Sequence, residues 1–227
     1  IRDRDSLLLP DSVTTQAAAE TLVWQQVRAV FDPTSQLVYW GWGAQQQGCI
    51  RAGTLNKQLK VKNTMPLVAP LNGGTQVNTV IYQDELYCVY QGPKNEIWYN
   101  VFENHSWQPP VQAPGEALTY TPTAVVDQGK LYCFYRKWVD GKGNLYYNAL
   151  ENGQWQSSKP VDNVDNHIIY APSAVLFKGN IYIFFQNGDD PGHLLWRKFS
   201  NNGILLDKPV VNLSTWAICE SPNAVGC

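Results

Sequence analysis

"GKLYCFYRKWVDGKGNLYYNALENGQW", residues 129–155, is the stretch on which the fold turns. Two runs rich in aromatic and β-branched or aliphatic residues, Leu131–Arg136 and Leu145–Leu150, flank a polar, glycine-bearing segment, and a tryptophan closes a third short run. Such short runs, bounded by Gly, Asn and Asp, read as strands. Looser copies stand at 84–107 ("DELYCVYQGPKNEIWYNVFENHSW") and 179–199 ("GNIYIFFQNGDDPGHLLWRKF"), with a weak one opening at "LVYWGW" (37–42). Their starts, Leu37, Leu86, Leu131 and Ile181, lie 45–50 residues apart.

A second marker keeps the same phase. "TPTAVV" (121–126), "APSAVL" (171–176) and "SPNAV" (221–225) recur at steps of 50, and "QVRAVF" (26–31) and "QVNTVI" (76–81) fill the earlier slots. A fixed period of this size signals a repeat architecture. Each unit holds four strand-like runs; in the third they are Thr123–Val126, Leu131–Arg136, Leu145–Leu150 and Gln154–Ser157. Four strands per 45–50 residues is the pattern of a propeller blade, which leaves only short sheet edges. The one helix-compatible window, "TTQAAAETL" (14–22), is short.

The expectation is an all-β small propeller in a single domain, 1–227, with five short four-stranded blades. The last blade would be built from both termini, and four blades is the alternative. Within a blade, Tyr87, Tyr132 and Tyr182 alternate with Cys88, Cys133 and Ile183, so the two sets face opposite sides of the sheet and both belong to the core. Cys88 and Cys133, at matching positions, read as buried free thiols. Cys49, Cys219 and Cys227 lie outside that register, and one disulfide among them stays open.

Composition narrows the function. Seventeen basic and 19 acidic residues, without like-charged blocks, give a net charge of −2 and no basic stripe for nucleic acid. No apolar run reaches the length of a spanning helix. No signal-peptide pattern opens the chain, and its start at Ile1 reads as processing or trimming. Three scattered His residues and no C-x-x-C pair give no zinc site, and no cofactor motif is present. Nine Trp and twelve Tyr, by contrast, supply apolar faces with polar handles.

The repeated text, S-P-x-A-V followed by L-Y-x-F-Y and L-W-Y, resembles that of the tandem-repeat propeller lectins of fungi and bacteria. The likeness is close over residues 75–225 and looser over 25–74. It implies a propeller that binds sugars between its blades. Long, divergent connections on one face of a rigid scaffold are where binding usually resides. In this reading they are 91–96, 136–144 and 186–193, with the approaches to each new blade at about 108–120, 158–170 and 207–220. A sugar needs aromatic rings for its CH faces and convergent polar groups for its hydroxyls. The expected contacts are Trp98, Tyr120, Arg136, Trp138, Tyr146, Tyr170, Gln186, Asp189, Trp196 and Trp216. Trp98, Tyr146 and Trp196 are taken as equivalent openings of the third strand, and Trp107 and Trp155 as packing between blades.

Partners are then glycans or glycoproteins bound multivalently, with homo-oligomerisation left open. Catalysis is not expected, because Asp84, Asp127, Asp140, Asp189 and Glu151 are spread over turns and loops rather than paired about one bond. A glycoside hydrolase-like propeller and a hemopexin-like or protein-docking module are the alternatives.

Overall fold

A computed structural model describes the backbone at 28–32, 37–44, 49–55 and 61–68, and backbone with side chains at 77–104, 106–114, 120–161, 167–188 and 193–199. These residues form four antiparallel sheets in chain order and no helix. The first holds β1 (Arg28–Asp32), β2 (Leu37–Ala44), β3 (Cys49–Leu55) and β4 (Val61–Val68). The second holds β5 (Val77–Tyr82), β6 (Glu85–Gln91), β7 (Ile97–Glu103) and β8 (Ser106–Trp107), and β9 (Val111–Ala113) also pairs with β7.

The third holds β10 (Thr123–Asp127), β11 (Lys130–Val139), β12 (Lys142–Glu151) and β13 (Gln154–Trp155), with β14 (Lys159–Pro160) on β12. The fourth holds β15 (Ser173–Phe177), β16 (Asn180–Gln186) and β17 (Leu194–Phe199). First strands neighbour one another in order, β1 by β5, β5 by β10 and β10 by β15, as in a propeller, and the fold is an all-β propeller. The window 14–22 and the marker 221–225 lie outside the described residues.

The alternation within each second strand decides which neighbour a blade packs against. Tyr87 and Val89 join Leu131, Cys133 and Tyr135 in one buried cluster between the second and third sheets. Tyr132 and Phe134, on the other side of β11, join Ile181, Ile183, Phe185 and Phe199 between the third and fourth. Phe134 and Phe199, both fully buried, meet edge to face with centroids 5.2 Å apart, a geometry that adds about 0.5–1.5 kcal/mol to the burial itself. Cys88 and Cys133 are buried and free, and burial pushes both thiols well above their ordinary range.

The third residue of the repeated marker makes a polar clasp between blades. Asn78 Oδ1 accepts from the backbone N–H of Ala124 (3.2 Å), and Thr123 Oγ1 accepts from that of Ala174 (3.3 Å). The register makes Asn78 and Thr123 equivalent, pairing them with the matching second-strand residues Val89 and Phe134. Both acceptor residues are buried, and the bond from Asn78 satisfies a donor, Ala124 N–H, that is itself buried.

Two strand expectations need correction. Residues 136–144 are not a loop: β11 and β12 continue pairing through Lys137↔Asn144, Trp138↔Gly143 and Val139↔Lys142. Asp140 and Gly141, with φ of 49° and 79°, form the turn. Two successive left-handed residues give the twist that matches a hairpin, so the ladder runs to its tip. The fourth strand expected at 154–157 stops at Trp155 and resumes as β14. Between them Ser158 leaves the ladder, its Oγ accepting from the Tyr135 hydroxyl.

Candidate functional site

The ends of the second strands, the starts of the third and the approaches to the first all lie on one face of the sheets. On that face the pairing makes Gln91, Arg136 and Gln186 equivalent, since each sits one residue past Tyr90, Tyr135 or Phe185. All three are polar and buried. Gln91 donates through Nε2 to Asn95 Oδ1 (2.8 Å), which closes its short loop.

Arg136 is built in differently. It shares its side of β11 with Tyr132 and Phe134, so it stands at the mouth of the gap between the third and fourth sheets. Its Nε donates to the carbonyl of Ile168 (2.7 Å), while Ile168 N–H donates to the carbonyl of Gly143 (2.7 Å). Ile168 also bridges to Asn187, and Ile169 N–H reaches the Gln186 carbonyl (3.3 Å). A strap of backbone bonds thus crosses the gap from the β11–β12 hairpin to the end of β16, with fully buried Ile168 in its middle.

Aromatic rings surround the guanidinium. Its carbon lies 4.6 Å from the centre of the Trp138 ring and 5.5 Å from that of Tyr120. Tyr120 in turn meets Tyr170 edge to face at 5.6 Å. Trp138 and Tyr120 are 46% and 36% exposed, whereas Arg136 is 7% exposed. Burial lowers the Arg136 pKa and the neighbouring Tyr120 hydroxyl opposes that shift, but a guanidinium stays charged at neutral pH. The arrangement is a fixed cation framed by two open aromatic surfaces. It can donate hydrogen bonds and stack against a ligand with both polar and apolar faces.

Four expected residues, Tyr120, Arg136, Trp138 and Tyr170, therefore converge on one gap. The others do not join them. Trp98 packs half-buried against Val77, Cys88 and Tyr90, with Gly92 close on its indole. Tyr146 stacks on Tyr135 (6.5 Å) between the second and third sheets, with the Lys137 ammonium 5.2 Å from its ring. Trp196 is not the equivalent of Trp98 and Tyr146. It pairs with Phe184 as Tyr99 pairs with Val89 and Tyr147 with Phe134, and Leu195 takes the expected place. Trp196 and Gln186 thus belong to the side of the fourth sheet turned away from the third. Asp189 and Trp216 lie outside the described residues.

Trp155 packs against Tyr99 of the preceding sheet (5.6 Å), and Trp107 against Phe102 (5.3 Å). Sequence reasoning missed Ile168 and Gly143. The available signal was Asp140–Gly141, a hairpin dipeptide that fixes Gly143 opposite Trp138. No cluster of three or more His, Cys, Asp or Glu able to hold a metal occurs among the described residues, and no helix there could cross a membrane.

No protein-family model matches the chain, and no curated protein does. Among solved structures it is similar to AofleA from Arthrobotrys oligospora, with a TM-score of 0.62 at 13% identity over 87% of this chain and 60% of that one. It is similar to the Aleuria aurantia lectin in complex with α-methyl-L-fucoside (TM-score 0.60, 14% identity, 85% of this chain and 63% of that). An α-L-arabinofuranosidase catalytic domain from Coprinopsis cinerea matches with TM-score 0.56 at 11% identity, over 90% and 74%. The chain spans about three-fifths of the length of the first two. At these identities the likeness is one of fold.

Proposed function

We propose that this chain is a carbohydrate-binding propeller, a lectin that takes glycans on the face bearing Arg136. The observation that carries the reading is the guanidinium held between the exposed rings of Tyr120 and Trp138 at a blade gap. A pyranose presents a CH face for the rings and hydroxyls for the cation, which is the complement of that frame. The lectin from Aleuria supports the choice of a first probe, methyl α-L-fucoside, followed by the disaccharide Fucα1-6GlcNAc that the same lectin also holds. Trp98, Tyr146, Gln186 and Trp196 would serve other gaps, and several weak sites on one ring would act together on a glycan-coated surface. Glycoproteins are then the natural partners.

The full chain is tested on a glycan array and, in parallel, for hydrolysis of aryl glycosides. Binding to a defined glycan set, weakened by Tyr120→Ala, is expected. Hydrolysis that persists through repurification and is lost on Asp140→Asn would replace this reading with an enzymatic one, and an array without signal would remove it.

A further inference from the structure

The β11–β12 hairpin outreaches those of the second and fourth sheets. β6 ends at Gln91 and β16 at Gln186, the positions matching Arg136, yet β11 runs on to Val139. The three extra pairs raise the hairpin by about 10 Å at 3.3–3.4 Å per residue. Side chains alternate along it, so Trp138 faces the same gap as Arg136 but about 6.7 Å farther out. The residue opposite Trp138 is Gly143, which offers no side chain to cover the indole. Arg136 covers one ring face at 4.6 Å, and Trp138 is still 46% exposed on a paired ladder closed by a two-residue turn. An indole held out by a rigid element in this way leaves a ring face open to a ligand.

Resting on the lectin reading, we infer that Trp138 forms a second subsite and makes this gap selective for oligosaccharides. The terminal ring lies at the level of Arg136 and Tyr120, and the next ring stacks on the outward face of Trp138. The second sheet offers no such platform: β6 and β7 stop pairing at Gln91↔Ile97, so this gap differs from the one before it in ligand length rather than only in strength.

The test is calorimetric titration of the full chain, wild type, Trp138→Ala and Trp138→Tyr, with methyl α-L-fucoside and Fucα1-6GlcNAc, and with the mono- and disaccharide of the best array glycan if that is not a fucoside. Thermal unfolding of each variant accompanies it. Trp138→Ala is expected to lose about three- to tenfold in affinity for the disaccharide, the value of one stacked ring. The monosaccharide, which keeps Arg136 and Tyr120 but loses the ring that braces the guanidinium, should lose clearly less than the disaccharide does, and Trp138→Tyr should recover most of both losses. Equal losses for both sugars, or none for either, overturn the inference and leave the lectin reading standing. A wild-type chain that binds no sugar removes the reading, and the inference falls with it.

Discussion

Replacing Gly143 with alanine tests the strap and the site together. Gly143 does not adopt a left-handed conformation, so on backbone grounds alanine is acceptable. Without steric conflict, Gly→Ala would stabilise by about 0.4–1 kcal/mol through the unfolded chain. The structure demands the opposite sign. A Cβ at 143 would run into Arg136 Nε and the Ile168 carbonyl oxygen, the two atoms that bond each other. If Arg136 gives way, a bond to a charged group worth about 1.5–3 kcal/mol is lost, with about 0.5–1 kcal/mol of stacking on Trp138. If Ile168 gives way, the bond from its N–H to Gly143 O goes, at about 1 kcal/mol.

The net cost is about 1–3 kcal/mol. For a chain of this size that lowers Tm by roughly 2–12 °C, at about 2–4 °C per kcal/mol. Urea unfolding followed by tryptophan fluorescence measures it, and the array signal should fall with it because Arg136 is displaced. A Gly143→Ala protein as stable as wild type or more so would refute the close approach. The account of how Arg136 is held would then be wrong.

Other outcomes follow from the same geometry. Asn78→Ala should cost about 1–3 kcal/mol, because it leaves the buried Ala124 N–H without its acceptor; equilibrium unfolding checks it, and a neutral result would dismiss the clasp. Trp155→Ala should destabilise by about 3 kcal/mol through lost packing on Tyr99, whereas Tyr120→Ala should leave stability nearly unchanged. Tyr87 and Tyr132 are pushed up to about 12, first by burial and then by nearby carboxylates and phenols. Their folded values exceed the unfolded value of 10.0, so the stability linked to them is intact below pH 10 and lost as pH rises toward 12. Phenolate absorbance should show both groups ionising only as the fold gives way. Cys88 and Cys133 should resist alkylation until denaturant is added, and rapid native labelling would contradict their burial.

Much of the fold was legible because a propeller repeats its instructions. The marker text locates every first strand described from β5 onward, and the Tyr/Cys alternation by itself separates the two packing faces. What stayed hidden depended on pairing between strands. Trp98, Tyr146 and Trp196 look alike when aligned by their own residues, but a strand's side is set by its partner in the ladder, and the differing connections shift Trp196 by one place. A shift of one residue moves a side chain to the other face. The 136–144 segment read as a loop because Lys, Gly and Asp dominate it, although Asp140–Gly141 favours a hairpin. Arg136 was identifiable as polar at a strand end. Its fixing by Ile168, 32 residues away, had no local signature.

The clasp also has a direction. At both described junctions a side chain from one blade meets a backbone donor of the next, and the Tyr/Val or Tyr/Phe side of one second strand meets the opposite side of its successor. Contacts of this head-to-tail kind are self-compatible: any unit can follow any other, and only the angle per step decides whether the series closes. Removing one whole period from Thr123 to Pro172 would bring Asn78 against Ala174 in place of Ala124, with Tyr87 and Val89 facing Ile181, Ile183 and Phe185. The chemistry at the seam would survive the excision. Size in such a molecule is a matter of how many wedges are strung together, and gene duplication or loss can change that number without first inventing a new interface.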